Sequence, residues 1–275
     1  MSLLCDLFEV SRSGYSKWVK RLGTMNSYEQ RHQQIDELVT MVHNDYPSMG
    51  YRSIRKHIQD KTGWILTGNS VYLSMKRLGI QSVARIKKNK NLNTGKEHDV
   101  FPNVLNREFK TDIPYIKIVT DITYIKHKGR WHYLIVFLDL CNREVLSWSL
   151  GTRQSSKFVI NCLEDLINKT KKVRGEYLLI HSDQGAQFRS AGYVKRLYDH
   201  NIIQSMSRAG NPHDNAAVES FFGHFKDVLT YDFKYKKQDN LNEITEKAVF
   251  HYNNERPAYC LNYKSPIQFK NELSF

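Results

Sequence analysis

The sequence predicts an α/β protein in which a mixed sheet flanked by helices follows a small helical domain. Two observations carry this. The apolar period changes from helical to strand-like near residue 110, and the strand-like part runs as three β-rich segments before helix and strand alternate. The positive charge is also uneven: from Ser48 to Lys96 there are eleven Lys or Arg against the single acid Asp60, a net +10 out of +13 for the whole chain.

Residues 1–26 read as a partial N-terminal segment. From Tyr28 to Tyr46, Ile35, Leu38, Val39, Val42 and Tyr46 recur at helical spacing, and Pro47 ends the helix. A short helix at Tyr51 to Gln59 and a Gly/Thr-rich turn at Thr62 to Gly68 follow. A third helix comes next, capped by Asn69 or Ser70, with Val71, Met75 and Leu78 inward and Gly79 closing it. Arg52, Arg55, Lys56, Lys76 and Arg77 stand outside, as a helix-turn-helix-like DNA-binding domain over 27–84 requires. An ordinary three-helix support domain has the same pattern. Residues 85–109, opening with Arg85-Ile-Lys-Lys-Asn-Lys90, read as a basic linker.

The remainder, 110–275, contains strands at Tyr115 to Ile125, Trp131 to Leu140 and Glu144 to Leu150. Ser155 to Lys169 reads as a helix, Tyr177 to Ser182 as a buried strand, Ala191 to His200 as a helix and Ile202 to Ser207 as a strand. Helices from about Asp214 to Leu229 and Asn240 to Glu255 complete the core with a C-terminal helical extension. This is the order of a ribonuclease-H-like mixed sheet.

Composition narrows the function. A chain of 275 residues that is 40% hydrophobic and 12% aromatic is globular, and no apolar run approaches the roughly 18 residues that span a bilayer. Cys5, Cys141, Cys162 and Cys260 form no C-x-x-C pair, which argues against a zinc site or disulfide framework. With no secretion signal in the opening residues, a cytoplasmic protein with reduced thiols and no membrane contact is expected. The net charge makes a polyanion the default partner.

Three acids stand in apolar company: Asp121 in Ile-Val-Thr-Asp-Ile-Thr-Tyr, Asp183 in Leu-Ile-His-Ser-Asp-Gln-Gly and Glu219 in Ala-Val-Glu-Ser-Phe-Phe. Desolvating a carboxylate needs a partner, and a divalent cation is one. Phosphodiester cleavage needs a nucleophilic oxygen at neutral pH and charge relief on the leaving oxygen. Two magnesium ions roughly 4 Å apart supply both, with manganese able to substitute. Asp121 would bridge the ions, and Asp183 and Glu219 would each serve one. On the glutamate helix Val218, Phe221, Phe222, Phe225 and Leu229 form an apolar stripe, while Glu219, Gly223 and Lys226 fall on the other side, where Lys226 can touch DNA. Each acid alone has a structural reading: a strand-edge residue, a loop cap, a surface helix residue. Asp139 before a turn and Asp214 as a helix N-cap are read structurally.

These residues also carry a family likeness. The chain resembles the second-reading-frame (OrfB) transposases of insertion sequences of the IS-three family, whose catalytic core is similar to retroviral integrases. That family has an Asp, Asp, Glu triad with 35 residues between the last two, and here 219 − 183 = 36 leaves 35 between. Agreeing motifs are VSRSGYSKW, MGYRSI, VTDITYI, LDLCNRE, HSDQGAQF, SMSRAGNPHDNAAVESFFGHFK and YNNERP leading into NYKSP. The resemblance implies metal-dependent DNA strand cleavage and strand transfer by in-line displacement, with the triad as catalytic and metal-binding residues. It places the family's lysine on Lys226, gives His181, Ser182, Gln184 and Gly185 to the loop beside Asp183, and sets Asn215 and Arg256 near DNA. Ala258 departs from the pattern, since many relatives have histidine after the Arg-Pro pair.

The implied partners are double-stranded DNA (the element's terminal inverted repeats and the target), further copies of the chain, and the upstream-frame product (OrfA) or its frameshift fusion. The implied place is the bacterial cytoplasm, on the nucleoid. Two rivals share these features. A DNA-binding regulator would gain phosphate affinity by losing the acids. A structure-selective nuclease or RNase H would hydrolyse without joining, and the basic module and late helices favour joining.

Overall fold

The computed structural model describes Cys5 and residues 7–84, 101–173, 177–235 and 239–273; most of the basic linker, 85–100, lies outside them. The chain forms two compact units, one of residues 1–45 and 50–82 and one of 46–49 and 83–275. Among the described residues no helix is long and apolar enough to cross a membrane.

The first unit is helical: α1 (Arg12–Arg21), α2 (Ser27–Asp45), α3 (Tyr51–Thr62) and α4 (Gly68–Arg77). α1 was not expected from the sequence; it buries none of its residues and so has no apolar stripe that packing would select. α2 starts at a reciprocal cap, with the Asn26 amide donating to Glu29 Oε2 at 2.9 Å and the Glu29 amide to Asn26 Oδ1 at 2.8 Å. Ile35, Val39 and Val42 of α2 are buried, as are Ile54 and Ile58 of α3 and Val71 and Met75 of α4. The cap of α4 is Thr67, whose hydroxyl accepts from the Ser70 amide at 3.1 Å, rather than Asn69 or Ser70. Leu78, expected inward, is 38% exposed because it is the C-cap and lies past the last inward position.

The second unit is a five-stranded mixed sheet in the order β3-β2-β1-β4-β5, built from β1 (Lys117–His127), β2 (Arg130–Asp139), β3 (Val145–Gly151), β4 (Leu178–Ser182) and β5 (Ile202–Met206). β1, β2 and β3 pair antiparallel, whereas β4 runs parallel to β1 and β5 parallel to β4. Lys128 (φ 48°) and Gly129 (φ 76°) make the β1–β2 turn, the two left-handed positions that a tight hairpin demands. β1 pairs with β4 only over Lys117–Val119, while its pairing with β2 runs on to His127. The far half of the hairpin therefore projects as a ribbon beyond β4.

Helices α5 (Ser156–Thr170), α6 (Ala191–Asp199), α7 (Ala216–Asp227), α8 (Leu241–Asn254) and α9 (Pro266–Glu272) complete the unit. Strand alternation divides the apolar residues into two layers. Val119, Leu134, Val136 and Leu138 pack with Phe221, Phe225 and Val249 on one face, and Ile118, Ile135 and Phe137 with Val159, Leu163 and Leu197 on the other. Residues 101–109, assigned above to the linker, belong to this unit. Leu105 is buried in the first layer, and its amide donates to Ser205 Oγ at 3.0 Å. The long helix expected to Leu229 is in three pieces: a 3-10 turn at Pro212–Asn215, α7 itself, and a π-helical turn at Val228–Asp232.

Candidate active site

The parallel pairing of β1 and β4 decides which acids meet. Val119 is in register with His181, so two residues further on Asp121 of β1 comes abreast of Asp183, which directly follows β4. Two carboxylates are thus set side by side just past the end of β4, with Asp121 still paired to Val136 of β2. Burial is the largest influence on Asp121 and the charge of Asp183 the next; together with Glu219 they push its carboxyl up to about 8. A 2.7 Å bond from the Ile122 amide and the charge of Lys226 act the other way. Burial also raises Asp183, partly offset by the Gly185 amide and the charge of Arg189.

Glu219 is exposed in the first turn of α7 and acts on Asp121 more weakly than Asp183 does. Its helix is held by Val218, Phe221, Phe222, Phe225 and, just beyond it, Leu229, all buried as the apolar stripe requires. Gly223 is buried as well, so the opposite face is not wholly solvent-facing. Among the described residues no group of three or more His, Cys, Asp or Glu side chains is arranged to hold a metal ion as it stands. The donor chemistry nonetheless fits one. Asp121 and Asp183 are hard oxygen donors, both raised by burial and Asp121 also by the charge of Asp183, and a divalent cation would offset that cost in place of a proton.

The loop after β4 fixes Asp183. The Gly185 amide donates to Asp183 Oδ1 at 2.9 Å, Ser182 Oγ donates to the Asp183 carbonyl at 2.9 Å, and Gln184 Nε2 donates to the Ser207 carbonyl at 2.9 Å. His181 is fully buried with Nδ1 2.8 Å from Ser205 Oγ; burial lowers its pKa to about 4, so the ring is neutral. Lys226, half-buried, lies with Nζ 4.8 Å from the centre of the Tyr124 ring.

The remaining candidates are dispersed. On α3 and α4, Arg52 and Lys76 are exposed, Arg55 is half-buried, Lys56 bonds Asp60, and Arg77 makes an ion pair with Asp36 at 2.6 Å. Asn215 is buried at the N-cap of α7. The guanidinium of Arg256 is taken by Asp232 (2.7 Å) and Ser48 Oγ (3.0 Å). Asp214 is not the helix cap read from the sequence. Its carboxylate has no exposed surface and receives Arg107 at 2.7 Å, Arg208 at 2.7 and 2.8 Å, and Asn103 at 2.9 Å, which hold its pKa well below the usual range. Sequence reasoning missed Arg189 and Tyr124. Tyr124 sat inside a quoted motif and Arg189 directly follows one, but no spacing rule ties Arg189 to Asp183, or Tyr124 to a lysine on another element.

Two family descriptions, each an integrase core domain, match residues 112–212 and 200–266. InsK of insertion sequence element IS150 from Escherichia coli K12 is 32% identical over 264 residues, covering 96% of this chain and 91% of InsK. The transposase InsF for insertion sequence IS3A from the same organism is 28% identical over 278 residues, covering 98% and 93%. Among solved structures, the simian T-cell lymphotropic virus intasome in complex with PP2A regulatory subunit B56 gamma contains a chain with the same core fold, at TM-score 0.52 and 17% identity over 86% of this chain and 73% of that one.

Proposed function

The chain belongs to the IS150/IS3 family of insertion-sequence transposases and carries their integrase core, and on that footing we propose that Asp121, Asp183 and Glu219 form one metal-dependent site that both cleaves and joins DNA strands. The enzyme is a polynucleotidyl transferase, and DNA transposition is its biological reaction. The observation that carries the site assignment is the register of β1 and β4, which brings two acids from segments 62 residues apart (183 − 121 = 62) side by side with perturbed pKa values.

Divalent ions, magnesium with manganese as a substitute, would be held by Asp121 and Asp183 and by Asp121 and Glu219. When bound they supply Lewis-acid polarisation of the phosphodiester and charge relief at the leaving oxygen. Burial and the neighbouring acids hold a proton on Asp121 near neutral pH, and a bound cation would favour its carboxylate form instead. The Gly185 amide fixes the Asp183 carboxylate, and the buried phenylalanines of α7 fix the angle from which Glu219 approaches. Lys226 offsets negative charge beside Asp121 and is suited to a phosphate of the bound strand. Cleavage and joining are both displacements at phosphorus, so one set of residues serves both with water or a 3′-hydroxyl as the attacking group.

We assign double-stranded DNA of the element ends and target as substrate. Arg52, Arg55, Lys56, Lys76 and Arg77 of the helical unit supply phosphate and base contacts. Bringing two ends together requires more than one copy of the chain, and the upstream-frame product or its fusion is the partner proposed for end recognition. The test is strand joining of a labelled element end with magnesium or manganese, with that frame also fused. Wild type yields joined product and Glu219→Gln yields none; equal product from both removes Glu219 from the site.

A further inference from the structure

We propose that Tyr124 and Trp131, on the part of the β1–β2 hairpin that outruns β4, form a stacking platform that holds an unpaired nucleobase of the DNA strand lying against Lys226 and Asp121. The proposal rests on the DNA-strand reading above and deepens it by naming the strand state the site takes. Tyr124 is 58% exposed and Trp131 51% exposed. Their rings meet edge to face at 5.1 Å between centroids and 89°, so the edge of one covers at most one face of the other and each keeps a flat face clear of its partner. In the β1–β2 register Lys126 is opposite Trp131 and Tyr124 opposite Tyr133, so Tyr124 and Trp131 are diagonal neighbours on one face of the ribbon. About half of each ring's surface stays in solvent, with the two rings packed mainly against each other and the lysines beside them.

Each ring carries a cation. Lys226 Nζ lies 4.8 Å from the centre of Tyr124 and Lys126 Nζ 5.7 Å from the centre of Trp131. Lys128 lies in the turn of the same hairpin and Arg130 directly follows it. Rings set among flexible cations match a nucleic acid strand: the base takes a ring face, and the displaced ammonium swings to the adjoining phosphate. A paired duplex offers its phosphates but not its base faces, so the platform selects a strand opened next to the reacting bond. By strand alternation Tyr124 lies on the face of the sheet opposite Asp121, and Lys226, whose charge acts on Asp121, joins the two places past the edge of β1 that β4 leaves unpaired. Tyr124 and Trp131 are positioning residues in this account and touch no reacting atom.

The test is binding of the full chain to two probes of equal charge at fixed salt, an eight-thymidine strand and an eight-unit abasic strand, followed by fluorescence anisotropy. Wild type binds the thymidine strand at least about fivefold more tightly than the abasic one, as stacking of a single base provides. Tyr124→Ala/Trp131→Ala loses that preference while keeping the affinity and salt dependence for the abasic strand. Tyr124→Phe/Trp131→Phe keeps the preference, which a merely structural role of the pair would not explain. An undiminished preference in the double alanine variant, no preference in wild type, or loss in the phenylalanine variant as well would overturn the platform. Asp121→Asn, measured alongside, separates the readings: base preference with no joining activity in any form of the enzyme leaves the platform standing and removes the catalytic proposal.

Discussion

The Gly185 amide donates to Asp183 Oδ1 at 2.9 Å, and a Cβ added to Gly185 would stand 2.9 Å from that same oxygen, 3.0 Å from Gln187 Oε1 and 3.3 Å from Phe188 Cδ2. The loop can cradle the carboxylate this closely only without a side chain at 185. Gly185→Ala is expected to displace the Asp183 carboxylate and cut strand joining by about a hundredfold, the cost of a misplacement near 1 Å. Melting temperature should fall little, because the loop is at the surface. Full activity in this variant would show that the position of Asp183 is not critical.

The state of Asp121 makes stability depend on pH when no divalent ion is present. The folded protein holds this proton up to about pH 8, while the unfolded chain releases it near 3.8. The stabilisation is therefore complete below pH 3.8 and is lost as pH rises through about 8. Asp139 behaves the same way but is spent earlier, its carboxyl being raised by burial to about 6. In chelator, denaturant melts of wild type should lose about 1–2 kcal/mol between roughly pH 6.5 and 8.5. Asp121→Asn should flatten that window, and an unchanged slope would assign it to other groups.

Asp214 ties the 101–109 segment to the start of α7 through Arg107, Arg208 and Asn103. Asp214→Ala leaves two guanidiniums facing each other without their carboxylate. Both arginines are about half exposed and partly screened (side chains 45% and 52%), so the expected loss is about 2 kcal/mol rather than that of a fully buried pair. Because its folded pKa is lowered, Asp214 stabilises wild type above the unfolded value near 3.8 and ceases to do so as pH falls. The wild type and variant should converge in strong acid.

Arg256 separates a structural from a DNA-contacting role. Its guanidinium satisfies the Asp232 carboxylate, which has no exposed surface, and reaches Ser48, whose amide and hydroxyl also bond Asp232 at 2.9 and 2.7 Å. Arg256→Ala is expected to cost about 3 kcal/mol by stranding a buried carboxylate, with DNA affinity per folded molecule unchanged. A large affinity loss without destabilisation would place Arg256 on the DNA instead.

Much of the core was legible because its signals are local. The apolar run Leu134-Ile-Val-Phe-Leu138 and the stripe Val218, Phe221, Phe222, Phe225 each report burial within one element. What escaped depends on partners distant in sequence. Leu105 looked like linker because its burial comes from strands it does not belong to, and Asp214 looked like a cap because Arg107 is 107 residues away (214 − 107 = 107). α9 was missed as a seven-residue helix, too short to display a period, though Ser265 and Gln268 form a capping box with Pro266 at its start. The pairing of Tyr124 with Lys226 depends on how far β1 outruns β4, a length no motif encodes.

The central claim is that Asp121, Asp183 and Glu219 act by holding the metal, and a change of metal preference tests it most directly. Asp183→Cys replaces a hard oxygen donor with a soft thiolate. Strand joining by this variant, with the upstream frame fused if wild type needs it, should be abolished with magnesium and partly restored with manganese. Wild type should work with both. Magnesium-supported joining at the wild-type rate in the cysteine variant would contradict the account, because the Asp183 carboxylate would then be no ligand in the reaction.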